Sequence, residues 1–502
     1  MKTGFLRQND RFIGLLVVFT TLFLFCCSSL RHALLKSNAF DLGLFDQFVY
    51  LLSQGLPPVV SLAGYHFLGD HAAFIFYAIA LLYKIYPDVH WLFLLQAASL
   101  ALGSGVVWLL AQQAQLETAQ ARIVAIAYLL YPVIFNANLY DFHGEVIAVP
   151  AILGAVWSAR AKKPLLFLGL ILLTLSCKAV LSLTVAAMGI WLWRWEQRRG
   201  LGLLALGLGI TWFAIATQWL IPSFLTIEHN AVSRYAYLGN SIGEIVLNLF
   251  LKPQLVCGRI FSGETWQYLA LLGLPVAWGL SWLHLAPFFC ALPTLAMNIL
   301  SDASSQRNLV MQYSLPIVPF LFVALISTWQ HHRVWLKSRR LILTWSAIAF
   351  LALAKYGYFW TIYLDSLDTW SETRNAIALV NTSRSLLTLS HISPHLTHRQ
   401  NIQLATFGSE SLDLLQFHYI LLSQRNPNWQ SSPATLQALL EKIATLPQFQ
   451  PLYQQKGVVL FAQINPSALP SADATPNPAL NGRGRSKTDS RPQKAPKADN
   501  SP

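Results

Sequence analysis

Charged residues are scarce in this chain, and their scarcity indicates its class. Only 11% of the 502 residues are charged, whereas 54% are hydrophobic, and the mean hydropathy is +0.45. A length of this order would allow about three soluble domains. The composition excludes that reading and indicates a membrane protein that crosses the bilayer many times.

Acidic residues and cysteines are also few. The 35 Lys and Arg residues outnumber the 22 Asp and Glu residues, which gives a formal net charge of +13. In a soluble protein this excess would suggest nucleic-acid binding. Here the basic residues lie mostly in short loops and in the C-terminal tail, so they report membrane topology and no nucleic-acid partner is expected. The five cysteines show no metal-ligand spacing and are expected to be small hydrophobes.

Long hydrophobic runs predict eleven membrane crossings. The first, at residues 11–30, is expected to be an uncleaved span. The alternative, a signal peptide, would need a small-residue cleavage site that Phe25-Cys26-Cys27 does not offer. Several runs are shorter than the about 20 residues needed to cross upright, which is tolerable where helices break against protein or a water-filled cavity. The other ten runs are 91–112, 123–139, 145–159, 164–176, 180–195, 201–221, 266–283, 285–300, 308–328 and 341–362.

Positive charge predicts the orientation of these spans. Basic residues cluster in the loops 160–163, 194–199 and 331–340, which the positive-inside rule places in the cytoplasm together with the N-terminus. The parity holds only if His71–Tyr86 does not cross and lies at, or dips into, the outer interface. The C-terminal end is then extracytoplasmic. The acidic residues that this topology places outside are Asp41, Asp70 and Asp141.

Composition divides the chain into three parts. Residues 1–365 are the predicted multi-pass membrane domain with outer interfacial helices. Alternating segments at 403–407 and 458–461 and a helical pattern at 434–440 predict a small extracytoplasmic α/β domain at 366–463. Residues 464–502 have almost no apolar content and are expected to be a disordered tail. The predicted fold class is therefore all-α polytopic membrane protein with a small C-terminal α/β domain.

The first polar constellation follows the first span as Asp41-Leu-Gly-Leu-Phe-Asp46-Gln47. Asp41 and Asp46 are five residues apart, close but not aligned on one helical face. Asp41 could cap the helix that begins at Leu42. It could also serve as a general base or a metal ligand, with Asp46 and Gln47 in support.

The second constellation is Asp141-Phe-His143-Gly-Glu145. Its three ionisable groups occupy alternate positions, so they point the same way if the stretch is extended. They suit metal binding or proton transfer. The alternative is an interfacial turn before a capped helix, and Glu145 alone is expected to be a cap. Asp70-His71 is open to both interpretations.

Cations near the same side could hold a phosphate group. Lys178 lies between two apolar segments, where it could pair with a lipid phosphate or extend to the interface without a specific partner. Arg234, Arg259 and Arg307 lie in outer loops and could bind phosphate oxygens bidentately or be ordinary solvated charges.

The chain resembles a family of uncharacterised polytopic proteins from bacteria and archaea, the domain-of-unknown-function family twenty seventy-nine. The resemblance covers about residues 10–463. The family often has an acidic pair where this chain has Ala179-Val180, and His-Tyr where it has Gln312-Tyr313. The residues that carry the resemblance are Asp41–Gln47, Gly69–His71, Asp141–Glu145, Lys178, Leu292–Pro293, Asn298–Ser301, Gln312–Tyr313 and Ser393–Arg399.

That family is in turn similar to the C-type glycosyltransferases, which include protein mannosyltransferases and aminoarabinose transferases. The resemblance implies sugar transfer from a polyprenyl-phosphate-linked donor to an unknown acceptor on the outer face of the bacterial inner membrane. It implies that Asp41, Asp141 and His143 are catalytic and that Lys178 and Arg259 bind the donor phosphate. A divalent cation, Mg or Mn, would bind Asp41 and Asp141, which should then lie within roughly 10 Å of each other.

Two other functions remain open at this point. A transporter or lipid-binding protein without chemistry would show ionisable groups at the bilayer midplane within repeated halves. The ionisable residues here gather at the outer ends of spans, and we find no internal repeat, which favours the enzyme. A member that kept the scaffold and lost activity is the third possibility, because Ala179-Val180 replaces the acidic pair.

Overall fold

The structure is a computed structural model that describes residues 11–224, 232–427 and 431–464. Except for its first residue, the tail predicted to be disordered lies outside the described residues. Helices α1–α18 precede the C-terminal domain. Their bounds are α1 Arg11–Ala33, α2 Leu44–Ser53, α3 Leu68–His71, α4 Ile75–Ile85, α5 His90–Gln113, α6 Thr118–Leu129, α7 Pro132–Leu139, α8 Glu145–Arg160, α9 Pro164–Cys177, α10 Leu181–Arg194, α11 Arg199–Ile215, α12 Ile221–Phe224, α13 Ile242–Leu251, α14 Pro253–Ile260, α15 Gly263–Gly273, α16 Leu292–Leu300, α17 Val318–Gln330 and α18 Arg339–Leu353.

The helical segments confirm the predicted all-α membrane domain. Within the described residues, five are long and apolar enough to cross a bilayer, and a sixth results if α18 and Lys355–Leu364, bent by 44°, form one span. The remaining apolar helices are shorter, so the number of eleven crossings stays a prediction. The five long segments are Arg11–Ala33, His90–Gln113, Thr118–Leu139, Arg199–Phe224 and Gln312–Gln330.

Proline sets one of the breaks within these segments. The predicted run 123–139 lies in Thr118–Leu139, which consists of α6 and α7 in sequence. Helix α6 ends at Leu129, and α7 begins at Pro132, which has no N–H to donate to the preceding turn. The break brings the end of α7 and the loop 140–144 to the face that carries Asp41.

Helix α4 is too short to cross the membrane by itself. Its 11 residues span roughly 16 Å, about half of a bilayer core of ~30 Å. It packs on α2 through Phe45 and Phe76, whose rings stack with centroids 5.0 Å apart. That His71–Tyr86 lies at the outer interface stays a prediction.

The loops 160–163 and 194–199, which were predicted to share one side, meet at one end of the bundle, here called the opposite face. Gln113 Nε2, at the end of α5, donates to the Trp157 carbonyl oxygen of α8 at 3.1 Å, so the α5–α6 connection lies at the same end. Arg160 at the end of α8 pairs with Glu196 between α10 and α11, with Nη2 and Oε1 2.7 Å apart. Arg339 at the start of α18 pairs with Glu117 between α5 and α6, with Nη2 and Oε2 2.8 Å apart. Whether this face is cytoplasmic stays a prediction.

The C-terminal domain contains a five-stranded mixed sheet, which confirms the predicted small α/β unit. The strand order is β4-β3-β5-β7-β6, with β3 parallel to both neighbours and β7 antiparallel to β5 and β6. Strands β3 and β5 are buried along their whole length. The elements are α19 Leu367–Leu379, β3 Leu386–Thr388, β4 Ile402–Leu404, β5 Tyr419–Ser423, α20 Pro433–Ala444, β6 Phe449–Gln455 and β7 Val458–Gln463; a separate two-stranded ribbon, β1 Val59–Val60 and β2 Tyr65–His66, lies between α2 and α3.

Candidate active site

Asp41 and His143 form the centre of the candidate site. Asp41 lies in a short π-helical turn, Ala39–Gly43, between α1 and α2, and His143 lies in the loop between α7 and α8. Asp41 Oδ1 is 3.3 Å from His143 Nε2, and the side chains are 20% and 4% exposed, respectively. Asp41 is thus the accessible member of the pair, and the imidazole holds it from the protein side.

Aromatic rings fix the orientation of His143. The Tyr140 ring stacks on it with centroids 5.7 Å apart, and the Phe45 ring contacts it edge-on at 5.5 Å. Its second nitrogen, Nδ1, is buried and makes no hydrogen bond with the described residues. Among the described residues, His143 therefore makes its polar side-chain contact through Nε2, with Asp41.

Asp141 is held by a residue that the sequence analysis missed. Arg31, at the end of α1, donates to both Asp141 carboxylate oxygens, and the two side chains are only 8% and 1% exposed. The Asn38 backbone N–H donates to Asp141 Oδ2 at 3.0 Å. Asp141 has φ +61°, a left-handed conformation in which Asp is better tolerated than most residues. Asp141 therefore joins the first span to the loop that bears His143, and Asn38 links it to the turn of Asp41.

A sequence signal for Arg31 existed. A guanidinium at the end of an apolar span is costly unless an acidic group or water receives it. Arg31 is the last arginine before the Asp41 turn, and the acids after the other spans were the available partners.

The structure brings Glu145 and Lys178 together as a second buried pair. Lys178 Nζ is 2.5 Å from Glu145 Oε1, and the side chains are 13% and 7% exposed. Glu145 is the first residue of α8 and makes no capping bond. The expectation that Glu145 acts mainly as a helix cap is therefore wrong, because its carboxylate forms an ion pair with Lys178.

Asp70 and His71 lie beside this pair. Asp70 Oδ1 is 3.1 Å from His71 Nδ1. Burial alone would raise the pKa of Asp70, but His71 and Lys178 lower it to about 2. The Ala179 N–H donates to the His71 carbonyl at 2.9 Å, so the loop after α9 is bonded to the turn that contains Asp70.

Gly144 allows the loop 141–145 to approach α9. A Cβ at this position would lie 2.9 Å from the Cys177 carbonyl oxygen, so a side chain would force the backbones apart. The glycine thus keeps Glu145 within reach of Lys178.

The outer-loop arginines differ in how far they are already paired. Arg259 pairs with Asp302 and lies over the Tyr237 ring at 5.2 Å. Arg307 is buried and pairs with Glu264 at 2.7 Å. Arg234 lies 5.6 Å from the centroid of the Tyr313 ring, and it has no carboxylate partner within the described part of the chain. Arg234 is therefore a better candidate for an external anion than Arg259.

Asp46 and Gln47 point away from Asp41, toward the C-terminal domain. Asp46 accepts hydrogen bonds from Tyr83, at 2.5 Å, and from Thr397. Gln47 Nε2 donates to the Arg399 carbonyl oxygen at 3.0 Å. Asp46 and Gln47 were expected to support the site directly. Asp46 instead bonds to α4 and to the C-terminal domain, and Gln47 bonds to the C-terminal domain.

The described residues leave the divalent cation a prediction. They contain no group of three His, Cys, Asp or Glu side chains placed to hold a metal. Asp141 is bound by Arg31, which leaves Asp41 and His143 as the available donors.

Comparison with solved structures identifies the fold. The crystal structure of ArnT from Cupriavidus metallidurans bound to undecaprenyl phosphate matches with a TM-score of 0.53 at 13% identity, over 92% of this chain and 100% of that chain. The apo-state structure of ArnT from the same organism matches with a TM-score of 0.51 at 13% identity, over 90% of this chain and 98% of that chain. The fold of this chain is thus similar to that of ArnT.

At the sequence level, no curated protein matches significantly. The family model described as "Predicted membrane protein (DUF2079)" matches residues 31–460. This range includes every candidate site residue discussed above. The chain belongs to this family of membrane proteins.

Proposed function

We propose that the protein is a membrane glycosyltransferase that moves a sugar from a polyprenyl-phosphate-linked donor to a hydroxyl acceptor, on the outer face of the inner membrane. The observation that carries the proposal is the Asp41–His143 pair, an accessible carboxylate held at 3.3 Å by a buried imidazole. The ArnT-like fold supports it, because one ArnT structure contains undecaprenyl phosphate.

In the proposed reaction Asp41 is the general base. The acceptor oxygen attacks the anomeric carbon of the donor sugar and forms the new glycosidic bond. The bond from that carbon to the phosphate oxygen breaks, and polyprenyl phosphate leaves with the electron pair. Asp41 takes the acceptor proton, and His143 orients the carboxylate that receives it.

A cation is needed where negative charge grows on the departing phosphate. Arg234 is proposed for this role, because it has a planar guanidinium that can bind two phosphate oxygens and it lacks a carboxylate partner in the described residues. Lys178 is committed to Glu145, and Arg259 to Asp302. Asp141 and Arg31 position the loops and take no part in proton transfer.

The test is donor consumption by the purified protein in liposomes. Undecaprenyl phosphate carrying labelled sugars would be the donors, and a membrane extract would supply acceptors. We expect Asp41→Asn to lower the rate about 100- to 10,000-fold, because the amide keeps the shape but cannot accept the proton. Glu117→Gln, on the opposite face, is the matched control and should keep full activity.

Two outcomes would contradict the proposal. Full activity of Asp41→Asn would show that Asp41 is not the base. Retention of undecaprenyl phosphate by the unmodified protein, without consumption of any donor, would favour the lipid-binding or transport function instead.

A further inference from the structure

The turn that holds Asp41 is contacted by the C-terminal domain at both ends. At its start, the Ala39 N–H donates to Ser390 Oγ at 3.3 Å. Near its end, Ser393 Oγ lies 3.7 Å from the place a Cβ would occupy on Gly43. Ser390 and Ser393 belong to the connection between β3 and β4. The β3–β4 connection therefore packs against the turn that holds Asp41.

Asp46, in the first turns of α2, receives the densest set of contacts. Its carboxylate is bonded by Tyr83 of α4 and by Thr397, and His398 Nε2 lies 3.3 Å from Oδ2. The Asp46 side chain is 2% exposed, so it cannot reach a substrate. Buried charge of this kind is retained only when its partners satisfy it.

Gln47 and Ser61 extend the contact to the edge of the sheet. Gln47 Nε2 donates to Ser61 Oγ at 2.8 Å. Ser61 Oγ donates to the Ile402 carbonyl oxygen at 2.9 Å and accepts from the Ile402 N–H at 2.9 Å. Strand β4 is thus tied to the segment after α2 through main-chain groups.

The contacts with the C-terminal domain matter because the Asp41 turn has π-helical geometry. The Gly43 N–H bonds to the Asn38 carbonyl five residues back, at 3.0 Å, and this is π-helical spacing. Such turns are rare, and the ordinary alternative has four-residue spacing. A change to that spacing would rotate the residues before it by about 100° relative to α2. Asp41 would then leave His143.

We propose that the C-terminal segment 390–399, acting through Ser390, Thr397 and His398, is a positioning element that keeps the Asp41 turn in contact with His143. Thr397 and His398 act on the turn through their contacts with Asp46. Asp46 is a positioning residue, not a catalytic one. The proposal rests on the proposed function, in which Asp41 is the base. It gives the C-terminal domain a part in assembling the site, beyond any part in acceptor selection.

The experiment measures amide hydrogen exchange and transfer kinetics on the full-length protein in nanodiscs. Thr397→Val and His398→Ala each remove a partner of Asp46. The matched control is His418→Ala, a histidine of the same domain that contacts Arg384 and not α2. Thr397→Val changes one hydroxyl in a side chain of similar shape, so it is the variant most certain to fold.

We expect exchange in the peptide 38–47 to become roughly tenfold faster in Thr397→Val and His398→Ala, as loss of about 1.4 kcal/mol would give. The control should leave this peptide unchanged. With a polyprenyl-phosphate sugar donor, kcat should fall roughly tenfold while KM changes less than about twofold, because the base is displaced and donor binding is not.

Unchanged exchange in 38–47 would overturn the proposal. So would faster exchange confined to 366–463, because it would mean that these residues only stabilise their own domain. If the unmodified protein transfers no sugar, the proposed function fails. The exchange result would still decide whether the C-terminal segment holds the Asp41 turn.

Discussion

The Asp41 face and the opposite face of the bundle both carry ion pairs, but they bury them to different degrees. At the Asp41 face, the Arg31 and Asp141 side chains are 8% and 1% exposed. At the opposite face, Arg160 and Glu196 are 17% and 21% exposed. Arg339 and Glu117, also at that face, are 54% and 67% exposed. A buried pair costs much to break, because the remaining charge has no water, whereas an exposed pair contributes little. Ion pairs therefore stabilise the loops most where they are most buried, as at Arg31 and Asp141, and least where they are exposed, as at Arg339 and Glu117.

The largest expected effect is at Arg31. Arg31→Met leaves Asp141 buried without its guanidinium, and we expect a loss of about 3–5 kcal/mol in the free energy of unfolding. Denaturant unfolding in detergent measures it. Arg31→Met combined with Asp141→Asn should recover part of the loss, because no net charge is then stranded. A loss below about 1 kcal/mol in the single variant would remove the contrast between the faces.

The second effect is at Lys178, and we expect it to be smaller. Lys178→Met strands the Glu145 carboxylate, but the site of Lys178 is slightly more open, so the expected loss is about 2 kcal/mol. The same unfolding assay applies. If Glu145→Gln and Lys178→Met had purely additive effects in the double variant, the two residues would not be coupled, contrary to their 2.5 Å contact.

The third prediction concerns pH at the contact of the C-terminal domain. Burial would lower the pKa of His398, but Asp46 outweighs burial and raises it. The stabilisation from His398 is therefore complete below the unfolded value of about 6.5 and is lost as the pH rises through the raised folded pKa. His395 acts in the opposite sense. Burial, His391 and Arg374 lower its pKa to about 3, so stability is lost as the pH falls from about 6.5 toward 3.

Thermal unfolding between pH 4 and pH 9 separates these two contributions. His398→Gln should reduce the loss at alkaline pH, and His395→Gln should reduce the loss at acidic pH, to which His32 and His391 also contribute because burial lowers their pKa values. Identical pH profiles for both variants would contradict the assignment of opposite signs. Other titratable groups also face these two histidines: His32, His90, Asp88, Arg399, Tyr50 and Tyr83.

The smallest effect is expected at the opposite face. Arg339→Ala should change the free energy of unfolding by less than about 1 kcal/mol, because the pair with Glu117 is exposed to solvent. Added salt should reduce even this difference. A loss as large as that of Arg31→Met would show that burial does not govern the difference between the faces.

Sequence reasoning identified the main elements because apolar periodicity is a local property. The alternating segment at 458–461 lies in β7 and the pattern at 434–440 lies in α20, whereas the segment at 403–407 overlaps only the end of β4, which ends at Leu404. The segment 266–283 was predicted as one helix, whereas α15 ends at Gly273 and a 3₁₀ segment, Leu274–Gly279, follows it. Pro275 lacks the N–H that a continuous helix would use there.

The partners of the site residues could not be predicted in the same way. The spacing of Asp41 and Asp46 indicates that they face different directions, but not what each one meets. Arg31 and Asp141 are 110 residues apart, and Asp46 and Thr397 are 351 apart. The sequence indicates that Arg31 needs an acidic partner, but a single sequence does not say which of the distant acids it meets. The loops after the spans could be identified as a polar face, and the contacts within it required the structure.

The bond between Asp46 and Thr397 also has a consequence for biosynthesis. The ribosome makes Thr397 351 residues after Asp46, an interval of roughly 20–70 s at about 5–20 residues per second. During that interval the connection between α1 and α2 lacks its contacts with the segment 390–399, because that segment has not yet been synthesised. A chain released early would insert its hydrophobic helices and still lack a fastened Asp41 turn. Synthesis of the segment 390–399 thus sets the earliest moment at which the candidate site can be assembled.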